Sequence, residues 1–362
     1  MNNKLTKIYF DPYLFFSICL LSILGLFFLY SASNADLSII LRQSAYVLLG
    51  LLIMISVSQP DPDLFRRTSF LFLVFAVLLL GITFLFGPEI NGAQRWIRLG
   101  PVSFQSSELL KLALPIFLAN FLGDKKLPIQ AREVSITLSI IFLAFFLVAR
   151  QPDLGTGLIV ALSGLSVLFL SGLSWSFIGG AFVLLVISSP LIWNVLLEPF
   201  QRQRIATLFN PESDPFGAGW NIMQSKIAIG SGGIFGKGFG NGSQTQLNFL
   251  PETKTDFIFS VIGEEFGFIG ILLLLSIYFF ILMRCLYLAL TARDRFCRLV
   301  IGGLSLTFAA NLIINLCMVV GLLPVVGMPL PFISKGGSSL MSLFFAFGII
   351  TSMATHKKFL PQ

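Results

Sequence analysis

Apolar residues in this chain form long unbroken runs, separated by short polar or basic stretches, rather than the stripe of an amphipathic surface helix. The runs lie near residues 12–31, 37–58, 65–87, 105–122, 133–149, 155–172, 174–195, 257–283, 297–322 and 336–355. Most reach the roughly 18 residues that a helix needs to cross the hydrocarbon core of a bilayer. The pattern predicts an all-α, polytopic membrane protein of about ten transmembrane helices. The interval 196–256 is the one long polar stretch and reads as a large loop between the seventh and eighth helices. Residues 1–362 are read as a single membrane domain containing that loop.

The distribution of basic residues orients the predicted helices. Lys4, Lys7, Arg66, Arg67, Lys125, Lys126, Arg132, Arg284, Arg293, Arg295, Arg298, Lys357 and Lys358 all fall on one side, which the positive-inside rule assigns to the cytoplasm. Both termini are then inside, and the 196–256 loop is extracytoplasmic. The first run ends near Ser31-Ala32-Ser33, which resembles a signal-peptide cleavage site, but it exceeds an h-region of about 7 to 15 residues and reads as a retained helix.

Composition narrows the chemistry. Of 362 residues, 56% are hydrophobic and 11% charged, against roughly 25% charged in a soluble domain, which excludes an ordinary globular enzyme. The formal charge of +7 sits in clusters between apolar runs, so it reports topology and not a nucleic-acid face. Cys19, Cys285, Cys297 and Cys317 show neither disulfide nor zinc spacing, and the single histidine, His356, removes histidine-based triads and H-E-x-x-H metal sites. No protein-bound metal site is expected. Acid–base chemistry falls to carboxylates.

The suggestive side chains gather on the predicted outer face. Glu108 and Lys111 stand three residues apart at the start of the fourth helix, spaced to neutralise each other. They read either as a structural ion pair or as binders of an anionic headgroup, because ionisable residues near membrane depth are functional candidates. Trp96 belongs either to an interfacial aromatic belt or, flanked by Arg95 and Arg98, to a site for a sugar ring joined to phosphate. Asp153 precedes the sixth helix. Thr255 and Asp256 stand where the polar loop meets the eighth, and Asp256 is suited by position to a helix cap as well as to chemistry. Glu264 and Glu265 follow within two turns.

The 196–256 loop retains Phe209, Trp220, Ile222, Ile227, Ile229, Phe235 and Phe239, which favours an ordered, functional loop able to dock on the membrane surface. Its glycine-rich segment Gly230–Gly240 has Ser231 and Gly238 where a phosphate-binding Walker loop needs Gly and Ser or Thr, so nucleotide binding is not indicated. With Lys226 and Lys237 beside it, flexible backbone there could still cradle a pyrophosphate.

Five segments, NGAQRWIRLGPVSFQSSELLKL, QPDLGTGLIV, QRIATLFNPESDPFGAGWNIMQSKIAIGSGGIFGKGFGNGSQTQ, FLPETKTDFIFSVIGEEFG and GLLPVVGMPLPFISKGGSS, follow in order along nearly the whole chain. Through them the sequence resembles the SEDS family of bacterial peptidoglycan glycosyltransferases, its cell-elongation branch more than its division branch. The resemblance implies a multi-pass protein of the bacterial inner membrane with its site facing the periplasm or exterior. It implies polymerisation of lipid II, an undecaprenyl-pyrophosphoryl disaccharide-pentapeptide, alongside a class B penicillin-binding transpeptidase and other membrane proteins of the elongation complex. It places the family's essential aspartate at Asp256 and its tryptophan at Trp96, with Glu108, Lys111 and Asp153 on further motif positions. The chain departs from the usual pattern with QSSE for QPSE, Asn248 for a frequent Glu, Lys254 for a frequent His and Lys335 for Tyr.

On this reading Asp256 acts as a general base while Lys111, Arg95, Arg98, Lys226 and Lys237 are candidates to stabilise the departing pyrophosphate, with a divalent cation, Mg2+ or Mn2+, as a candidate helper. Two other classes suit many helices with charges at membrane level: a flippase or transporter of lipid-linked oligosaccharides, and a noncatalytic scaffold of the cell-wall machinery.

Overall fold

A computed structural model describes residues 9–89, 94–99, 102–191, 193–194, 198–214, 217–247 and 249–356. Lys4, Lys7, Asn248, Lys357 and Lys358 lie outside the described residues. Ten helices coincide with the ten predicted runs: α1 (Pro12–Ala32), α2 (Leu37–Ser58), α3 (Pro62–Phe86), α4 (Ser106–Gly123), α5 (Ala131–Ala149), α6 (Leu154–Leu170), α7 (Trp175–Leu191), α11 (Ile258–Leu290), α12 (Arg295–Val319) and α13 (Ser338–Thr355). Eight are long and apolar enough to cross a membrane. The other two, α6 and α7, have 17 residues each.

Aspartates start many of these helices. The carboxylates of Asp11, Asp36, Asp61, Asp153 and Asp294 each accept from a backbone amide in the first turn, which satisfies one of the donors a helix N-terminus leaves open. Helix α4 lies at the centre, packed against α3, α6 and α12, while α13 packs along α2. The basic end of the bundle is closed by ion pairs: Arg66 with Asp124, Arg284 with Asp11, and Arg293 with Asp61 and Asp63.

Three features depart from the predicted pattern. Residues 96–105 form an antiparallel hairpin, β1 (Trp96–Leu99) and β2 (Val102–Gln105), within an otherwise helical protein. The polar interval is largely helical, with α8 (Pro199–Phe209), α9 (Ala218–Ser231) and α10 (Ser243–Gln246). Helix α11 runs past the expected end at 283 to Leu290 and is broken at Gly267, where φ is 63° and ψ −160°.

Candidate active site

The site is built where the loop-to-helix junction at 252–257 meets the connection between α12 and α13. Three successive carbonyls of the junction are held from outside. Lys335 N donates to Lys254 O at 2.8 Å, Ser334 Oγ to Thr255 O at 2.5 Å, and Asn315 Nδ2 to Asp256 O at 2.9 Å. Asn315 is fully buried on α12 and also donates to Met328 O at 2.5 Å, so one amide ties both strands of the junction. Gly327 has φ +76°, a conformation that glycine adopts without penalty, and a Cβ there would stand 3.6 Å from Asp256 Oδ2.

These segments border a recess of about 300 Å³ at one end of the bundle, with Asp256, Glu108, Asp153 and Trp96 among its lining residues. Seven residues singled out from the sequence line it: Arg95, Trp96, Glu108, Lys111, Asp153, Thr255 and Asp256. Most are engaged with one another. Lys111 Nζ lies 2.8 Å from Glu108 Oε1, and Ser342 of α13 donates to the other oxygen of the buried Glu108. The predicted mutual neutralisation is therefore present, and it joins α4 to α13. Asp153 caps α6 through Thr156 N and accepts from Gln105 Nε2 at 2.9 Å. Arg95 donates to the carbonyls of Gln151 and Pro152 and stands 3.8 Å from Asp153. Trp96 pairs across the hairpin with Gln105, so the hairpin presents the indole and holds Asp153 at once.

Asp256 differs. Its carboxylate accepts no hydrogen bond from any described residue, and it does not cap α11, whose N-cap position is Phe257 without a side-chain cap bond. Burial pushes its carboxyl up to about 6; the nearby Glu252 carboxylate adds to the rise and Arg204 opposes it. Thr255 does not share that vacancy, because its hydroxyl donates to Glu252 Oε2 at 2.7 Å.

The remaining candidates are placed elsewhere. Arg98 is exposed on β1 and does not line the recess. Lys226 is exposed on α9, its ammonium close to Gly321. Lys237 pairs with the fully buried Glu264 at 2.7 Å, and the glycine-rich segment is bonded to the break in α11: Lys237 N to Glu264 O, Gly238 N to Glu265 O, and Phe268 N to Gly233 O. A Cβ at Gly232 or Gly236 would fall 2.0 or 2.1 Å from a carbonyl oxygen of α11. Close backbone packing explains these glycines, and the segment does not form a cradle at the recess.

Sequence reasoning missed Arg204, Asn311 and Asn315. Arg204, on α8, lines the recess and couples electrostatically to Arg95, Asp153 and Asp256. A QRQR run in a polar loop carries no signal for this placement. Asn311 and Asn315 lie one turn apart in α12, and two amides on one face of an apolar span were a usable signal, since buried polar groups need partners.

The donor set does not suit a resident metal. Among the described residues no group of three or more His, Cys, Asp or Glu could hold one, and Glu108 and Asp153 are already engaged.

Fold and site together define a polytopic helical membrane protein with a charged recess at one end of its bundle. Residues 12–359 match the cell cycle protein family of FtsW, RodA and SpoVE, the SEDS family, and the chain belongs to it. It is 45% identical to the peptidoglycan glycosyltransferase MrdB of Escherichia coli K12 over 364 residues, covering 99% of this chain and 98% of that protein. It is 35% identical over 352 residues to the stage V sporulation protein E of Bacillus subtilis, covering 94% and 95%. Among solved structures it resembles a chain of a peptidoglycan synthase complex described as coordinating polymerization and crosslinking (TM-score 0.83, 30% identity, 95% of this chain and 97% of that one). It also resembles the rod shape-determining protein RodA of Thermus thermophilus (TM-score 0.74, 28% identity, 99% and 100%).

Proposed function

We propose that this chain is a peptidoglycan glycosyltransferase that polymerises lipid II in the recess during cell elongation, with Asp256 as its general base. The observation that carries the reading is the free carboxylate of Asp256 in a recess whose other lining carboxylates, Glu108 and Asp153, are bound by protein donors. A base needs an open lone pair and a pKa near the working pH, and a carboxyl raised to about 6 is ionised at neutral pH yet more basic than an ordinary aspartate.

In this reading Asp256 takes the proton of the acceptor's GlcNAc 4-hydroxyl as that oxygen bonds to the donor's MurNAc anomeric carbon. The bond from that carbon to the diphosphate oxygen breaks, and its electron pair leaves with the undecaprenyl diphosphate. One displacement inverts the α-linked donor to a β-linked product. A second carboxylic acid is unnecessary, because a diphosphate leaves as an anion and needs its charge stabilised rather than a proton. Lys111 and Arg95 line the recess with their charges offset by Glu108 and Asp153, and Trp96 offers a ring face to a sugar.

The basic residues Arg66, Lys125 and Arg293 stand at the other end of the bundle, which by the positive-inside rule supports a recess facing the periplasm or exterior and cytoplasmic termini. A recess at one end of the bundle also favours an enzyme over a transporter, whose polar site is expected near the midplane. The resemblance to a polymerising and crosslinking complex supports a transpeptidase partner of the class B penicillin-binding type. Purified protein given labelled lipid II, with and without such a partner, tests the reading through the glycan chains formed.

A further inference from the structure

The recess has a second face that the base does not use. Its wall includes the start of α13, an 18-residue helix whose N-cap position is Gly337 and which has no side-chain cap. The first intrahelical bond runs from Met341 N to Gly337 O, and the amides of Ser338, Ser339 and Leu340 donate to no described acceptor. Open amides and the positive end of the helix dipole attract anions. Gly336 and Gly337 line the recess beside these amides.

Two side chains point to the same ligand independently. Asn311 on α12 is 8% exposed and lines the recess, and among the described residues its amide has no hydrogen-bond partner, so it is open to a ligand there. Lys335, exposed three residues before α13, lines the recess, and among the described residues its ammonium has no ion-pair or hydrogen-bond partner. Lys111 and Arg95 are by contrast held by Glu108 and by the 151–153 turn.

We propose that the N-terminal turn of α13, Lys335 and Asn311 form a diphosphate subsite that holds the polyprenyl diphosphate of the donor in the same recess as Asp256, beside the 254–256 junction. The assignment rests on the glycosyltransferase reading and deepens it. The open amides take phosphoryl oxygens, Lys335 offsets the charge that grows on the leaving oxygen, and the Asn311 amide donates to the bridging region. The glycine-rich segment near Lys237 is not needed, since it is bound to α11.

Binding of undecaprenyl diphosphate and of inorganic pyrophosphate to the full-length protein in lipid nanodiscs tests this, with every protein carrying Asp256→Asn so that turnover and the base play no part. Lys335→Gln is expected to weaken undecaprenyl diphosphate binding about tenfold or more, as loss of a charge-assisted bond does. Asn311→Leu is expected to weaken it several-fold, and Lys335→Arg to retain it, with thermal melting unchanged in the Lys335 variants. Equal binding by Lys335→Gln, Asn311→Leu and their parent overturns the subsite. Binding of inorganic pyrophosphate without the lipid-linked diphosphate overturns its assignment to the donor. Because neither probe carries a sugar to transfer, no turnover occurs, and these outcomes are independent of whether Asp256 is the base.

Discussion

Asn315 Nδ2 lies 2.9 Å from the carbonyl oxygen of Asp256, and the same amide nitrogen reaches Met328 O at 2.5 Å. A fully buried side chain on α12 thus fixes the backbone of the proposed base against the loop that carries Gly327.

Asn315→Leu removes the donor of the buried Met328 carbonyl, worth about 1 to 3 kcal/mol, and of the part-buried Asp256 carbonyl. The variant is expected to melt lower and to lose kcat more than it gains KM, because Asp256 loses its alignment. Melting curves and steady-state kinetics with lipid II check this; a KM effect alone would show that Asn315 serves binding.

The raised carboxyl of Asp256 sets a pH dependence. Activity is expected to climb with pH through about 6, as the base ionises. Glu252→Gln removes a neighbouring negative charge and should move that limb to lower pH. The stability sign follows from linkage. A folded pKa above the unfolded value gives stability that is complete below the unfolded value, about 4, and is lost as pH rises through about 6. Asp256→Asn should therefore match wild type in melting temperature near pH 4 and exceed it above pH 6.

Lys237 is expected to matter for folding rather than for substrate. Lys237→Met removes the cation paired with the fully buried carboxylate of Glu264, which keeps Ser243 Oγ and Gln244 N as donors, and is expected to destabilise the fold. Faster proteolysis of the 230–247 segment, with lipid II affinity kept in the surviving fold, is the expected result. A selective loss of affinity at unchanged melting would restore Lys237 to the substrate site.

The Glu108–Lys111 pair should behave as a coupled unit. Lys111→Met leaves the Glu108 carboxylate buried with Ser342 as its one donor among the described residues, whereas Glu108→Gln keeps a neutral partner for Ser342. Lys111→Met is expected to be the more destabilising, and adding Glu108→Gln to it should recover part of the loss in a double-mutant cycle.

The positions of the helices could be read from the apolar runs because lipid demands uninterrupted hydrophobicity, and the structure keeps those runs as helices. Five of the site residues, Arg95, Glu108, Lys111, Asp153 and Asp256, were visible for the complementary reason: charge at membrane depth stands out. What the sequence hid was assembly across distance. Asn315 and Asp256 are separated by 59 positions, and nothing local to either announces their bond. Arg204 comes to the recess on a helix inside a stretch that reads as polar loop. The glycine-rich segment misled in the opposite direction, because glycine suits a phosphate cradle and a close backbone crossing equally well, and only the contacts with Glu264 and Glu265 decide between them.

Polymerisation of labelled lipid II by the purified protein with its transpeptidase partner, comparing wild type with Asp256→Asn, tests the central claim most directly. The account predicts glycan chains from wild type and a loss of at least about a hundredfold in the variant, the scale of a missing general base, with the fold and partner binding retained. Chains formed at the wild-type rate by Asp256→Asn would contradict it.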